Sequence, residues 1–112
     1  MAVRDETLDY ARDLFGGLGP ISARRMFGGA GLYAGGAMFA ILADDQLYMK
    51  TDSVLAADYE AAGSEAFVYD TKNGARRIGS LWRLPDSALD DPDEALDWAK
   101  KSLAVALAAK KD

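Results

Sequence analysis

Apolar residues at Leu8, Ala11, Leu14 or Phe15, and Leu18 recur every three or four positions, the spacing that lines one side of a helix. Asp5 and Glu6 suit the positive end of that helix, and Gly16, Gly17, Gly19 and Pro20 stop it. The period then changes. Residues 23–33 mix apolar and aromatic positions with Gly28, Gly29 and Gly31, which predicts a strand bent at its glycines. Gly35-Gly36 predicts a hairpin turn into a buried strand over 38–43. Asp44-Asp45 turns the chain again. Residues 46–50 then alternate, with Leu47 and Met49 on one face and Tyr48 and Lys50 on the other.

Thr51, Asp52 and Ser53 are all capping types, so a short helix is predicted over 53–62, ended by Gly63. Residues 66–71 read as a strand with Phe67 and Tyr69 pointing one way and Val68 the other. Asn73-Gly74 turns it into a return strand over 76–84, in which Ile78, Ser80, Trp82 and Leu84 share a face. Asp91, Pro92 and Glu94 start a final helix carrying Leu96, Ala99, Leu103 and Ala106-Leu107 at helical spacing. The order is α-β-β-β-α-β-β-α. Short strands joined by tight turns imply an antiparallel sheet, and a sheet with one helix-covered face is the simplest way to bury it. The fold class is therefore α+β, a two-layer single domain over residues 1–112.

Composition narrows the chemistry. The chain has no cysteine and no histidine. That removes disulfides, thiolate-held metals, the usual general base and Ser-His triads. A carboxylate, lysine or tyrosine would have to serve as a base, and none stands at a recognisable catalytic spacing. No enzyme activity, catalytic residue, cofactor or metal is expected. Arg4-Asp5-Glu6 follow the start with no apolar run, and no stretch approaches the ~20 apolar residues of a membrane span, so a cytoplasmic location is expected.

Net charge is −5, distributed as −2 over residues 1–20, zero over 21–83 and −3 over 84–112. An acidic chain does not attract nucleic acid with its whole surface, but Arg24-Arg25 and Arg76-Arg77 lie in the neutral middle. Two readings of these pairs stay open. They bind phosphate or a carboxylate partner, most simply with Arg24 and Arg77 on neighbouring strands, or they solvate the sheet and pair with nearby acids. Within either pair, alternation sends the two members to opposite faces. Tyr33, Phe39, Tyr48, Tyr69 and Trp82 read as core at strand spacing, or as a stacking surface.

Gly29-Ala30-Gly31-Leu32-Tyr33-Ala34 matches a dinucleotide fingerprint in letters, but the predicted strand after it leaves no helix to meet a pyrophosphate. Asp86, Asp90, Asp91, Asp93, Glu94 and Asp97 lack the pattern of a calcium loop and read as an acid-rich helix start.

The string Arg24-Arg25-Met26-Phe27-Gly28-Gly29-Ala30-Gly31-Leu32-Tyr33, followed by Met38–Leu42 and Gln46-Leu47-Tyr48-Met49-Lys50-Thr51-Asp52, resembles the N-terminal domain of the TfoX/Sxy competence regulators. Phe67-Val68-Tyr69 and Trp82-Arg83-Leu84-Pro85 fall where that family has its later strands. The resemblance implies an antiparallel two-layer domain similar to secretion-chaperone-like folds, which often pair as dimers. It also implies a bacterial regulator, here a stand-alone first domain without the family's C-terminal one. It transfers no catalytic residue. The expectation is a non-enzymatic module that binds a protein or itself, with Arg25, Phe27, Tyr33, Arg77 and Trp82 as interface candidates. One alternative is a nucleic-acid regulator using Arg24, Arg25, Arg76 and Arg77. A second is a small-ligand or enzyme site beside the Gly28–Gly31 bend.

Overall fold

The computed structural model describes residues 5–26 and 29–110. Helix α1 (Asp5–Leu14) leads through a single 3-10 turn (Gly16–Leu18) into four strands, β1 (Ser22–Met26), β2 (Gly29–Ala34), β3 (Ala37–Ala43) and β4 (Gln46–Lys50). Helix α2 (Ser53–Ala61) carries the chain to β5 (Ala66–Thr71) and β6 (Gly74–Arg83), and the short α3 (Asp86–Leu89) precedes the long α4 (Pro92–Lys110). The six strands form one sheet in the order β1-β2-β3-β4-β6-β5, every neighbouring pair antiparallel. The fold is α+β, as the element pattern predicts.

Two elements differ from expectation. Residues 23–33 are not one bent strand but the arms of a hairpin, with Arg24 opposite Gly31 and Arg25 opposite Ala30. The sheet accordingly has six strands where five are predicted. Phe27 and Gly28 lie outside the described residues. The acid-rich stretch divides into α3 and the first turn of α4, because Asp91 accepts the Asp93 and Glu94 amides at 3.1 and 3.2 Å and starts a new helix.

Turns follow their residues. Gly35 and Gly36 both have positive φ, 58° and 80°, the two left-handed positions of a tight hairpin. Asp44 and Asp45 make the same turn at 52° and 60°, and the Thr7 hydroxyl donates to Asp45 Oδ1 at 3.1 Å. Asp52 caps α2 by accepting the Leu55 amide at 2.8 Å.

One apolar core joins the helices to one face of the sheet. Leu8, Ala11, Leu14 and Phe15 meet Ala30, Leu32, Ala40, Leu42, Leu47, Met49, Trp82 and Leu84, together with Leu55 and Tyr59 of α2 and Ala95 and Ala99 of α4. Phe39 and Ala40 are both fully buried although they are consecutive. A register shift between β2 and β3 makes this possible, since a bulge lets two successive side chains serve the same face. Phe39 then meets Phe15 edge to face, with ring centroids 5.4 Å apart. On α4 the buried stripe is Ala95, Ala99, Ser102 and Ala106. The predicted Leu96 and Leu103 flank it half-buried and Leu107 is exposed. Small side chains let the helix lie close against β3 and β4.

Candidate functional site

The core binds the helices to a single face, so alternation leaves the other face of the sheet without a helix among the described residues. Strand register defines that face. One row crosses it through Arg24, Gly31, Ile41, Tyr48 and Arg83, each the Cα partner of the next. Tyr33 and Met38 pair beside this row, as do Lys50 and Leu81. On the outer hairpin, Phe67 faces Ile78 and Tyr69 faces Arg76. The rings make a series: Tyr48 and Phe67 have centroids 4.6 Å apart, and Phe67 and Tyr69 stack at 5.8 Å. Tyr33, Met38, Ile41, Tyr48, Phe67, Ile78 and Leu81 are all half-buried, and Arg24 and Arg76 are exposed.

Charge separates by layer. The six strands carry Arg24, Arg25, Lys50, Arg76, Arg77 and Arg83 against a single carboxylate, Asp70, and Asp70 faces Ala75 on the helix side. The four helices carry ten carboxylates and four cations. The helix-free face thus presents four cations among aromatic and aliphatic side chains, in a chain whose net charge is −5. Arg83 is tempered by Asp86 at 4.0 Å, a weak exposed contact. Desolvation beneath these neighbours raises the Tyr48 hydroxyl above its ordinary pKa; Arg83 lowers it, while Asp44 and Glu65 raise it further.

The predicted interface residues do not form one surface. Tyr33 lies on the helix-free face. Arg25 is exposed on the helix side and pairs with Asp5 of α1. Arg77 is also on the helix side, its guanidinium 5.3 Å from the Trp82 ring centroid. Trp82 is 5% exposed and belongs to the core, so its expectation as a contact residue is corrected. Residues Gly79 to Leu81 bulge out of register between β6 and β5, leaving the Gly79 carbonyl to accept the Trp82 indole N–H at 3.1 Å. The indole is thereby held inward beside Met49 and Ala66, its Cα partners.

The four arginines of the nucleic-acid reading are likewise split. Arg24 and Arg76 share the helix-free face, but β1 and β6 stand four strand spacings apart, roughly 19 Å. Arg24 and Arg77 are neither on neighbouring strands nor on one face. Ile41, Phe67 and Arg83 of this face are not among the site residues expected from the sequence. The pairing of Tyr48 with Lys50 and of Phe67 with Tyr69 across alternating positions was the available signal.

Of the Gly28–Gly31 bend, only Gly29 to Gly31 belong to the described residues. Gly29 and Gly31 have no positive φ. Gly29 is required for a different reason, since a Cβ there would overlap the Leu42 carbonyl oxygen on β3. The fingerprint-like string is β2 itself and runs on through the Gly35-Gly36 turn into β3, so no helix opens after it as the fingerprint requires. One surface depression lies beneath α1 between Tyr10, Leu42, Leu47 and Leu89. Among the described residues no group of three or more acidic side chains is placed to hold a metal, and no helix is long and apolar enough to cross a membrane. Tyr59 is fully buried and its hydroxyl shares a hydrogen bond with Ser102 Oγ at 3.3 Å, and burial pushes its pKa far above the ordinary value.

Residues 13–106 match the family model described as the TfoX N-terminal domain. No curated protein matches the chain.

Proposed function

This chain belongs to the TfoX N-terminal domain family, and from that membership and the segregated charge of its sheet we propose a non-enzymatic regulatory module that binds an acidic segment of a partner protein on its helix-free face. It acts in the bacterial cytoplasm, in the competence-related regulation the family suggests, without metal or cofactor. One observation carries the reading: Arg24, Lys50, Arg76 and Arg83 surround half-buried apolar and aromatic residues on the sole sheet face no described helix covers. Half-buried aliphatics beside the cations suit a protein segment that is acidic on one side and apolar on the other. The missing imidazole and thiol support binding over catalysis.

The Tyr48–Phe67–Tyr69 series favours one second reading, single-stranded nucleic acid stacked on the rings. Affinity purification from the native host followed by mass spectrometry separates the two, run with the wild-type chain and with Arg24→Glu/Arg76→Glu. The protein reading expects net-acidic partners retained by the wild type and lost by the variant. It also expects no retardation of a single-stranded oligonucleotide at low salt. Retardation that weakens with salt and with the double substitution assigns the face to nucleic acid instead.

A further inference from the structure

An open sheet ends in two edges, and here they differ. β1 presents Arg24 and Arg25 in succession, and Arg25 reaches Asp5 of α1. Charged side chains on an edge discourage pairing with another chain. β5 is less guarded, its one charge being Asp70 near its C-terminal end. Its sequence is Ala66-Phe67-Val68-Tyr69-Asp70-Thr71, with Val68 52% and Tyr69 42% exposed and no proline or lysine. Its one strand partner is β6, and β6 in turn pairs with β4 only from Leu81 to Arg83. Residues 67–78 therefore extend past the sheet as a two-stranded arm. Such ribbons are marginal alone, and an apolar open edge is a template for a further strand.

We infer that the further strand is β5 of a second copy. The two β5 strands pair antiparallel about a two-fold axis with Val68 opposite Val68, joining two six-stranded sheets into one. Self-complementarity selects this register. Phe67 of each copy faces Tyr69 of the other on the helix-free side, which continues the Tyr48–Phe67–Tyr69 ring series across the junction. Val68 meets its counterpart on the helix side. Asp70 falls opposite Ala66. Sliding the pair by two residues towards the C-terminal end of the strand instead sets one Asp70 against the other, and like charges directly opposite oppose pairing. Self-pairing face to face is disfavoured on the same ground, because it brings the four cations of one copy onto those of the other. Edge pairing leaves the helix-free face open and places two of them side by side, so it stands apart from the identity of any partner.

The test uses the full chain, which has no native cysteine. Single cysteines are introduced as Val68→Cys on β5, Ser22→Cys on β1 and Val54→Cys on α2, and treated with a short bis-maleimide. Cross-linked dimer is expected for Val68→Cys, with the other two at collisional background. Sedimentation equilibrium of the wild type should show mass rising with concentration from 12.0 kDa towards twice that value. Val68→Lys should weaken association by roughly tenfold or more with an unchanged melt of the monomer, the residue being exposed. A strict monomer up to ~1 mM, the affinity range of the weakest specific contacts, overturns the inference. So does a dimer that Val68→Lys leaves intact, or cross-linking that favours Ser22→Cys.

Discussion

The two faces of the sheet are made by the same strands and differ in what covers them. The face under the helices holds Leu32, Leu42, Leu47, Met49 and Leu84, each at most 4% exposed. The opposite face alternates with it residue by residue and holds Arg24, Ile41, Tyr48, Lys50 and Arg83. Ile41 and Leu42 are neighbours in sequence with similar side chains, yet only Leu42 is sealed. The difference shows how a small domain divides its work: one face secures the fold, and the other is held rigid by it while keeping apolar atoms near solvent. Long arginine stems cover part of that apolar surface and keep their charge in water.

The largest expected effect tests the spine both faces share. Gly29→Val drives a branched side chain into the Leu42 carbonyl and separates β2 from β3. We expect a loss of about 3 kcal/mol or more in urea denaturation, or failure to fold. Stability near wild type would show that the strands can part without cost.

Next comes the direct comparison. Leu42→Ala opens a cavity in the packed core and should cost about 2–5 kcal/mol, whereas Ile41→Ala on the open face should cost about 1 kcal/mol or less. Equal losses would mean that the second face is also core.

Two tyrosines extend the comparison to pH. Tyr59 lies between the helices, its ring 4.3 Å from Trp98, and Tyr48 lies on the open face. Burial raises both above the ordinary value of 10.0, Tyr59 much further. The fold holds the phenol proton after the unfolded chain has lost it. Folded protein therefore binds more protons above pH 10, and stability falls as pH rises from there. Tyr59→Phe should cost about 1 kcal/mol at pH 7, from the lost bond to Ser102, and should flatten the alkaline decline. Tyr48→Phe should flatten it less. Thermal melts between pH 8 and 12 read both, and an unchanged slope in Tyr59→Phe removes the account.

The smallest expected effect on stability belongs to Arg24→Glu and Arg76→Glu. Both positions are exposed, so unfolding free energy should stay within about 0.5 kcal/mol of wild type. Denaturation curves check this. A larger loss would mean that the open face is held together by its own charges.

Much of the helix layer was readable from period and caps. Leu8, Ala11 and Leu14 lie buried where the three-four spacing puts them, and Asp52 and Asp91 cap the helices their neighbours announce. The β1–β2 hairpin was not readable, because glycines in a strand pattern mark bends and turns alike. α4 was legible as a helix and partly in its contact stripe: Ala99 and Ala106 lie buried where the spacing puts them, while close packing on the sheet takes Ala95 and Ser102 in place of Leu96 and Leu103. The candidate face was half legible. Alternation puts Phe67 and Tyr69 on one side, but nothing local says that it is the side of Tyr48. Trp82 reads as core and as a contact residue alike, and the structure decides for core, because the bulge at Gly79 to Leu81 turns it inward.

Local order was written into the chain: the two-residue alternation, the left-handed turns at Gly35-Gly36 and Asp44-Asp45, and an inventory without imidazole or thiol. Only the tertiary structure decided the strand order β4-β6-β5 and which arginine of each pair looks away from the helices. The physical reason is a symmetry of the strand. A period of two separates neighbours onto opposite faces without saying which face is which, and that sign is set when α1, α2 and α4 bury their own apolar sides on one of them.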